Sequence, residues 1–310
     1  MLADNSRFRV QRGLGTGGFG LVYEAFDLER HARVAVKFLR RSDPGSLLRL
    51  KREFRALADL SHVNLVALYE LVADRDPWFI AMELVDGSDF ISFVTGRSPT
   101  DSRDQASTTT VPPDTSDEET GVRHARIVER QSREIACDLD RLQHVTRQLA
   151  EALTYLHHAG KLHCDIKPSN VLVRTDGVVK LLDFGLTSEF GLRTQTERGQ
   201  LIRPPAYMSP EQGLNEPLSE ASDWYSVGVM LFEALTGRRP FSGTYLEVLR
   251  AKEERDGPAP GQFVDDIPEG LADLCEELLA REPEMRPGGA EVIARLNRLW
   301  PQGRRAAASG

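Results

Sequence analysis

Residues 162–170 read LHCDIKPSN, and residues 182–185, which follow a short apolar stretch, read LDFG. The two motifs together supply four polar side chains to one cleft: Asp165, Lys167, Asn170 and Asp183. The first aspartate can accept the proton of a substrate hydroxyl, and the asparagine and the second aspartate can hold magnesium on nucleotide phosphates. The lysine can neutralise a phosphoryl group in transfer. The pair of motifs therefore predicts phosphoryl-transfer chemistry.

The two motifs resemble the catalytic loop and the magnesium loop of eukaryotic-like protein kinases, in the Asp-x-Lys-Pro-x-Asn form usual for Ser/Thr rather than Tyr specificity. An Asp-Phe-Gly tripeptide alone is typical of a turn after a strand, so the nine-residue block upstream carries the interpretation. The resemblance implies catalytic roles for Asp165 and Lys167. It implies that Asn170 and Asp183 bind Mg2+, with ATP as the phosphoryl donor.

A glycine-rich stretch, residues 14–22, reads LGTGGFGLV and lies between two strand-like segments. Glycines let the backbone approach phosphates closely. The same pattern fits a dinucleotide-binding turn, but that turn opens a helix, whereas an apolar strand follows here. The hairpin pattern therefore favours a kinase nucleotide loop, and its ATP-binding residues are Leu14, Gly15, Thr16, Gly17, Gly18, Phe19, Gly20 and Val22.

An alternating apolar run at residues 34–39 contains one lysine, Lys37, and predicts a strand. An isolated lysine usually points to solvent, but the position of Lys37 after the glycine-rich hairpin suggests a contact with the α- and β-phosphates. The helical pattern that follows supplies Glu53 as its carboxylate partner in the catalytic set. Glu70 ranks behind Glu53 because it lies on the next strand, which we expect to begin at residues 62–66.

Residues 78–87 read WFIAMELVDG and predict a buried strand that runs into a polar turn. A plain core strand fits the same pattern. By the family resemblance this stretch is the hinge between two lobes, with Met82 beside the adenine of ATP. The carbonyl of Glu83 and the amide of Val85 would then bind the polar edge of the adenine. Three apolar residues would complete an adenine pocket of the usual kind: Val22, Ala35 and Leu172.

Three downstream motifs resemble structural elements of the same family. Residues 206–212 read AYMSPEQ and match its Ala-Pro-Glu element, with serine in place of alanine. Asp223 begins an apolar helix that ends at residues 236–237, and we expect it to fix the catalytic-loop backbone. Arg286 resembles the arginine that forms a buried, stabilising ion pair with Glu211.

Length, composition and charge agree with one catalytic unit of two lobes. With 310 residues and 40% hydrophobic content, the chain is long enough for two packed cores. The net charge of -8 argues against nucleic acid or an anionic membrane as the main partner. Three widely separated cysteines show no metal-ligand spacing, which favours a reducing cytoplasm. We expect no signal peptide and no membrane-spanning segment in this chain.

The resemblance extends over residues 8–300 and implies an α+β, bilobal protein-kinase-like fold. Residues 1–84 would form the N-lobe, a small antiparallel sheet, and residues 85–300 the larger, mainly helical C-lobe. A low-complexity insertion rich in Ser, Thr, Asp and Pro occupies about 95–135, and a linker-like tail occupies 301–310. The resemblance is strongest to bacterial Ser/Thr kinases, in which such a domain is often the amino-terminal module of a larger signalling protein.

Two residues depart from the family pattern. Cys164 stands where most members have an arginine that meets a phosphate on the activation segment. We therefore expect an activity that does not depend on phosphorylation of that segment. Pro204 stands where members usually have a threonine that bonds to the catalytic aspartate and lysine. This second departure affects the positioning of a peptide substrate rather than the binding of ATP.

The leading functional interpretation is an ATP- and Mg2+-dependent Ser/Thr protein kinase that modifies protein substrates in a signalling role. A nucleotide-binding pseudokinase or scaffold is the first alternative; the two departures support it, and the complete set of catalytic residues opposes it. A phosphotransferase for small molecules is the second alternative. Such enzymes share the His-x-Asp motif and the magnesium aspartate, but they are not expected to carry the Lys-Pro, Ser-Pro-Glu and Asp-Trp elements together.

Overall fold

A five-stranded antiparallel sheet forms the amino-terminal part of the structure, in the spatial order β1-β2-β3-β5-β4. The computed structural model describes residues 7–17, 20–39, 44–73, 77–97, 134, 136–183 and 205–299. The strands are β1 Phe8–Gly17, β2 Gly20–Asp27, β3 Ala32–Phe38, β4 Leu68–Val72 and β5 Phe79–Glu83. Helix α1, Pro44–Ala58, connects β3 to β4.

The two faces of this sheet have different neighbours because side chains alternate along each strand. One face carries a small apolar core: Phe8, Ala25, Val34, Val36, Phe79 and Ala81. The other face carries Ala35, Lys37 and Ile80, and Lys37 lies directly opposite Ile80 in the pairing of β3 with β5. Ile80 belongs to the large core, together with Leu50 and Leu57 of α1. The second face is therefore the one that meets the rest of the molecule.

Helices dominate the rest of the described chain, around a small three-stranded sheet. Its strands are β6 Gly87–Asp89, β7 Val171–Arg174 and β8 Val179–Leu181. The helices are α2 Phe90–Thr95, α3 Leu139–His158, α4 Pro210–Leu214, α5 Glu220–Thr236, α6 Tyr245–Glu254, α7 Glu269–Leu278 and α8 Gly289–Leu299. This arrangement confirms the α+β class predicted from the sequence.

Helix α3 has a capping residue at its start and an apolar stripe along its length. Asp138 is the N-cap and accepts a hydrogen bond from the Arg141 amide at 3.0 Å, which satisfies a backbone donor of the first turn. Apolar residues at helical spacing form its buried stripe: Leu142, Val145, Leu149, Leu153 and Leu156. The sequence therefore determines both the beginning and the buried face of this helix.

Helix α5 is buried around most of its circumference, as expected for a helix with little polar surface. It begins at Glu220, three residues before the Asp223 start that the sequence analysis gives. Gly237 ends it with φ of 70°, a left-handed conformation that glycine adopts without a Cβ penalty. The predicted end of the helix is confirmed.

The expected strand at residues 62–66 is wrong. Strand β4 begins at Leu68, and Leu65 makes only an isolated parallel bridge to Leu181. The amide of Leu181 donates to the carbonyl of Asn64, and the amide of Val66 donates to the carbonyl of Leu181. Residues 64–66 therefore use their backbone groups to contact β8 rather than to extend the amino-terminal sheet. The apolar character of Leu65 and Val66 reflects burial between the two parts of the molecule.

No helix within the described residues is long and apolar enough to cross a membrane.

Candidate active site

The loop before β7 brings three predicted site residues together. Lys167 Nζ donates to Asp165 Oδ2 at 2.7 Å. Asn170 Nδ2 donates to the same Oδ2 at 2.9 Å and to the Asp165 backbone carbonyl at 2.7 Å. A 3₁₀ turn, Pro168–Asn170, sets this spacing, and its initial proline has a fixed φ. Because both side chains donate to Oδ2, Oδ1 of Asp165 is left to accept the proton of a hydroxyl.

Asp223 fixes the backbone of this loop from helix α5, as the sequence analysis predicts. Its Oδ2 accepts from the His163 amide at 2.8 Å, and its Oδ1 accepts from the Cys164 amide at 2.7 Å. His157 Nε2, on α3, lies 2.8 Å from Oδ2. Cys164 has φ of 61°, an uncommon conformation for a residue with a side chain, and these hydrogen bonds hold it there.

His163 connects the catalytic loop to the segment that leads into Asp183. Its Nδ1 accepts a hydrogen bond from the Asp165 amide at 3.2 Å, and its Nε2 lies 2.7 Å from the Leu182 carbonyl. One nitrogen therefore accepts and the other donates, which is the pattern of a neutral imidazole. Burial lowers the pKa of His163 and favours this neutral form. The bridging role of His163 was not predicted from the sequence, although its position two residues before Asp165 is a usable signal.

Lys37 and Asp183 bring the amino-terminal sheet and the magnesium motif to one place. Lys37 Nζ lies 2.6 Å from Asp183 Oδ2, and the lysine side chain is almost fully buried. Asp183 has φ of 59°, in the left-handed region that aspartate tolerates better than most residues. The predicted partner Glu53 lies on α1, but its side chain is outside the described residues. The proposed Lys37–Glu53 pair therefore stays a prediction.

The glycine-rich stretch is a hairpin, as its pattern predicts. Strands β1 and β2 pair in antiparallel register up to Gly17 opposite Gly20, with Thr16 opposite Leu21. A strand, and no helix, follows the glycines. This geometry excludes the dinucleotide-binding turn, which requires a helix at that point. Gly18 and Phe19 lie outside the described residues.

The strand register places several predicted nucleotide-binding residues on one face of the sheet. Val22 lies opposite Lys37, and Ala35 lies opposite Met82. Since Ala35 and Lys37 are two residues apart on β3, all four side chains share a face. Ala35 and Met82 are buried. This face offers the small, apolar surface that an adenine ring needs beside a buried cation.

Glu83 has a side-chain partner that the sequence analysis did not foresee. Its Oε2 accepts from Lys180 Nζ at 2.9 Å and from the Ala67 amide at 3.1 Å, and its own amide donates to the Ala67 carbonyl at 2.8 Å. Lys180 is on β8, so this ion pair joins the two sheets. The adenine contacts expected of the Glu83 carbonyl and the Val85 amide stay predictions. Leu172, on β7, lies opposite Lys180.

The Ala-Pro-Glu element is bonded to two other parts of the chain, at Arg286 and at Cys164. Glu211 forms the predicted buried pair with Arg286, at 2.7 and 3.0 Å. Burial alone would raise the pKa of Glu211, but the hydrogen bonds from Arg286 outweigh it and hold that pKa below its usual value. Gln212 Nε2 donates to the Cys164 carbonyl at 2.9 Å, a contact that the sequence did not reveal. Helix α4 is thus bonded to the residue next to Asp165.

The described residues fit a magnesium ion that is bound jointly with phosphate. No group of three His, Cys, Asp or Glu residues in the described ranges is placed to hold a metal alone. Magnesium in nucleotide sites takes one or two protein oxygens and completes its octahedron with phosphate and water. The Nδ2 of Asn170 is occupied by its bonds to Asp165, so its Oδ1 is the atom that would bind the ion. Asp183 would supply the second oxygen ligand.

Several predictions lie outside the described residues. They concern the position of Pro204, almost all of the insertion at about 95–135 and the tail at 301–310. Phosphorylation of the activation segment, residues 184–204, also lies outside them.

Comparisons with known proteins agree with this geometry. A family model described as protein tyrosine and serine/threonine kinase matches residues 8–296. The chain is 32% identical over 292 residues to serine/threonine-protein kinase PknA of Mycobacterium tuberculosis. It is 31% identical over 286 residues to serine/threonine-protein kinase PknL of the same organism. It is 26% identical over 291 residues to serine/threonine-protein kinase PrkC of Bacillus subtilis.

These relatives are longer than the chain. The alignments cover 91% of the chain and 58% of PknA, 91% of the chain and 62% of PknL, and 93% of the chain and 39% of PrkC. The chain therefore corresponds to part of each of these proteins.

Proposed function

Because the chain belongs to the protein tyrosine and serine/threonine kinase family, we propose that it transfers the γ-phosphoryl group of ATP, with Mg2+, to Ser or Thr hydroxyls of protein substrates. The observation that carries this proposal is the fixed group of Asp165, Lys167 and Asn170 beside the Lys37–Asp183 pair. We assign residues 1–84 to the N-lobe and residues 85–300 to the C-lobe of this catalytic unit.

The proposed mechanism depends on position and charge rather than on a covalent intermediate. Asp165 orients the acceptor hydroxyl and accepts its proton through Oδ1. Lys167 holds the other oxygen of Asp165 and offsets charge on the phosphoryl group as it moves. Lys37 contacts the α- and β-phosphates from the buried face of β3. Asn170 and Asp183 would hold magnesium, which would neutralise further charge on the phosphates.

The face formed by Val22, Ala35 and Met82 receives the adenine, with Leu172 and Val85 completing the pocket. Apolar contact on a sheet surface holds the ring, while the Glu83 carbonyl and the Val85 amide bind its polar edge. The hairpin closed by Gly17 and Gly20 covers the phosphates. This assignment accounts for the glycines at the end of the hairpin, since bulky residues there would keep the backbone away from the nucleotide.

We further propose that activity does not require phosphorylation of the activation segment. Cys164 is buried, and its side chain lacks the cationic group that an arginine would offer to a phosphate. The test is a Thr194→Ala, Thr196→Ala double variant, compared with the unchanged protein in a phosphotransfer assay. Activity within about twofold of the parent is expected, because the receiver of the phosphate is missing. Loss of most activity would refute this part of the proposal.

The main experiment incubates the purified protein with Mg2+ and γ-labelled ATP, with and without a generic basic acceptor protein. An Asp165→Asn variant is the control, since it removes the proton acceptor but keeps a side chain of the same size. Label on Ser or Thr that disappears in the control is the expected result. Tight, magnesium-dependent ATP binding without any label would instead favour a nucleotide-binding scaffold, the alternative that Cys164 and Pro204 support.

We propose a cytoplasmic location and a signalling role within a longer protein. All three cysteines lie in the described part of the chain and none forms a disulfide there, which suits a reducing compartment. The relatives PknA, PknL and PrkC are each longer than the aligned region. By analogy, this catalytic unit would act as the amino-terminal module of a larger signalling protein.

A further inference from the structure

Lys252, on helix α6, is a buried lysine that bonds to one short backbone segment. The residue is 1% exposed. Its Nζ donates to the carbonyl oxygens of Pro205 at 2.9 Å, Ala206 at 2.8 Å and Met208 at 2.5 Å. A lysine ammonium has three N–H donors, so these contacts use all of them. A single side chain thus satisfies most of the carbonyls of residues 205–208, which we call the 205–208 segment.

The remaining carbonyl of the 205–208 segment is also bonded to the helical part. Ser226 Oγ, on α5, donates to the Tyr207 carbonyl at 2.8 Å. Four consecutive carbonyl oxygens are therefore held by side chains of α5 and α6. A chain of irregular backbone seldom has every carbonyl satisfied by side chains, because most buried backbone groups pair with other backbone groups. The conformation of this segment is thus determined by Lys252 and Ser226.

The surroundings of Lys252 contain one aromatic ring and few charges. Its Nζ lies 5.1 Å from the centroid of the Tyr225 ring, a distance at which the ring face attracts a cation. Arg286 lies over the same ring at 4.9 Å and is bonded to Glu211. Among the described residues Lys252 has no carboxylate partner within ion-pair distance. Its charge is therefore balanced mainly by the carbonyl dipoles of the 205–208 segment.

The 205–208 segment is close to the catalytic loop along the chain and in space. It leads directly into α4, whose Gln212 donates to the carbonyl of Cys164, the residue before Asp165. Movement of the segment would shift α4 and the contact next to Asp165. A rigid segment at this place can hold an acceptor peptide so that its hydroxyl meets Asp165, and catalysis depends steeply on such placement.

We propose that Lys252 is a positioning residue for the protein acceptor: its ammonium holds the 205–208 segment in the conformation that seats the acceptor chain beside Asp165. The inference rests on the proposed protein kinase function and adds to it the residue that organises the acceptor side of the cleft. The Lys252 ammonium bonds to the 205–208 segment and to no catalytic side chain among the described residues, so we expect its effect in acceptor binding.

The charge of Lys252 changes near neutral pH, which gives the proposal a second readout. Burial lowers the pKa of Lys252 to about 7, and Glu211 on α4 opposes the shift. Burial raises the pKa of Tyr225 on α5 far above neutrality, and Glu211 stays ionised in its pair with Arg286. Lys252 is therefore the group of this cluster that titrates. The neutral amine has two N–H donors for three carbonyls, so the hold on the segment weakens as the pH rises.

The test measures steady-state kinetics with an acceptor protein for the parent, Lys252→Met and Arg250→Met. Arg250 is an exposed residue of the same helix that pairs only with Glu254 among the described residues, so its variant controls for general changes in α6. We expect Lys252→Met to raise the KM for the acceptor about tenfold, the effect of losing one or two net hydrogen bonds. The KM for ATP and the slow hydrolysis of ATP by water should be unchanged.

The pH profile separates positioning from a general structural role. The acceptor KM of the parent should rise between about pH 6 and about pH 8, whereas that of Lys252→Met should be flat. An acceptor KM in Lys252→Met equal to that of the parent would overturn the proposal. Equal increases in the KM for ATP and for the acceptor would also overturn it, because they would indicate a general loss of structure.

Amide hydrogen exchange keeps the test independent of the proposed function. If the parent transfers phosphate to no acceptor, the proposed function fails while the exchange measurement still decides the role of Lys252. Faster exchange at residues 206–208 in Lys252→Met, with the parent rate in Arg250→Met, supports the inference. Unchanged exchange refutes it. If Lys252→Met does not fold, the parent is compared at about pH 6 and about pH 8 after correction for intrinsic rates, and exchange at 206–208 should increase more than elsewhere.

Discussion

At the scale of single residues, the site depends on which oxygen of each aspartate accepts which hydrogen bond. Oδ2 of Asp165 accepts from both Lys167 and Asn170, and this fixes the orientation of the group. Oδ1 remains for chemistry. Asp223, by contrast, uses both oxygens to hold the backbone: Oδ2 accepts from the His163 amide and Oδ1 from the Cys164 amide. The motif spacing indicated which residues meet, but only the folded loop shows which atoms they use.

Asp165 and Asp183 should respond differently to the same substitution. Asp165→Asn removes the proposed proton acceptor, so we expect turnover to fall by about 10²–10⁴-fold while ATP affinity is retained. Asp183→Asn removes the proposed magnesium ligand and a partner of Lys37, so it should abolish turnover and also weaken magnesium-dependent nucleotide binding. Phosphotransfer assays and ATP titrations at fixed magnesium check both. Equal losses of ATP affinity in the two variants would contradict this division of roles.

The Glu211–Arg286 pair should matter for stability. Glu211→Ala leaves the buried Arg286 guanidinium without its carboxylate, and we expect a loss of about 3–5 kcal/mol in the free energy of unfolding. Denaturant titration measures this, with the exposed Glu216→Ala as control. A double variant, Glu211→Leu with Arg286→Met, should lose less than Glu211→Ala alone, because no buried charge is left unpaired. A small effect of Glu211→Ala would show that Arg286 finds other partners.

At the scale of elements, a capping side chain and a backbone conformation determine where two of the helices begin and end. Asp138 caps α3, and Gly237 ends α5 with a positive φ, and both features are readable in the sequence. The strand expected at residues 62–66 was not readable, because an apolar run fits a strand and a buried irregular segment equally well. Asn64 and Val66 bond to Leu181, and the partner that decides the outcome is more than a hundred residues away.

The end of β2 carries an acid-sensitive contact. Arg7 donates to both oxygens of the buried Asp27 at 2.9 Å and also to Glu70 on β4. The hydrogen bonds from Arg7 lower the pKa of Asp27 from 3.8 to about 2. A carboxylate with a lowered folded-state pKa contributes stability that is complete above its unfolded pKa and is lost as the pH falls through its folded pKa.

We therefore expect Asp27→Asn to cost on the order of 1–2 kcal/mol at about pH 6. The difference in free energy of unfolding between the parent and Asp27→Asn should shrink as the pH falls from about 4 to about 2, because protonation of Asp27 removes the same charge. Urea titrations of both proteins over this range give the difference. A difference that stays constant with pH would exclude an ionised Asp27 as its source.

At the scale of the whole molecule, the two parts share one core and one cleft. The large apolar core includes Leu50 and Leu57 of α1 as well as residues of α3, α5, α7 and α8. Lys37 meets Asp183, and Glu83 meets Lys180, so two ion pairs also join the two parts of the molecule. The shared apolar core and the two ion pairs therefore hold the two parts of the molecule together.

Leu65 lies where the parts meet, and it provides a test of this shared core. Leu65 is 2% exposed, whereas Val63, two residues earlier, is 64% exposed. Leu65→Ala should lower the free energy of unfolding by about 2–5 kcal/mol through lost burial and the cavity left behind, and Val63→Ala should have little effect. Thermal and denaturant unfolding of both variants measure the contrast. Equal stabilities would show that the contact between the parts contributes little.

The sequence by itself determined the class of fold, the order of the main elements and the identity of the paired motifs. The fold class followed from the resemblance of its motifs to those of protein kinases. The elements followed because glycines, caps and apolar spacing act over a few residues, and the catalytic motif followed because Asp165, Lys167 and Asn170 are neighbours in the chain. Only the tertiary structure decided that Lys37 meets Asp183, that Lys180 meets Glu83 and that Lys252 binds the 205–208 segment. Each of these joins residues at least forty positions apart, and no local pattern encodes such distances, since they are set by how the whole chain packs.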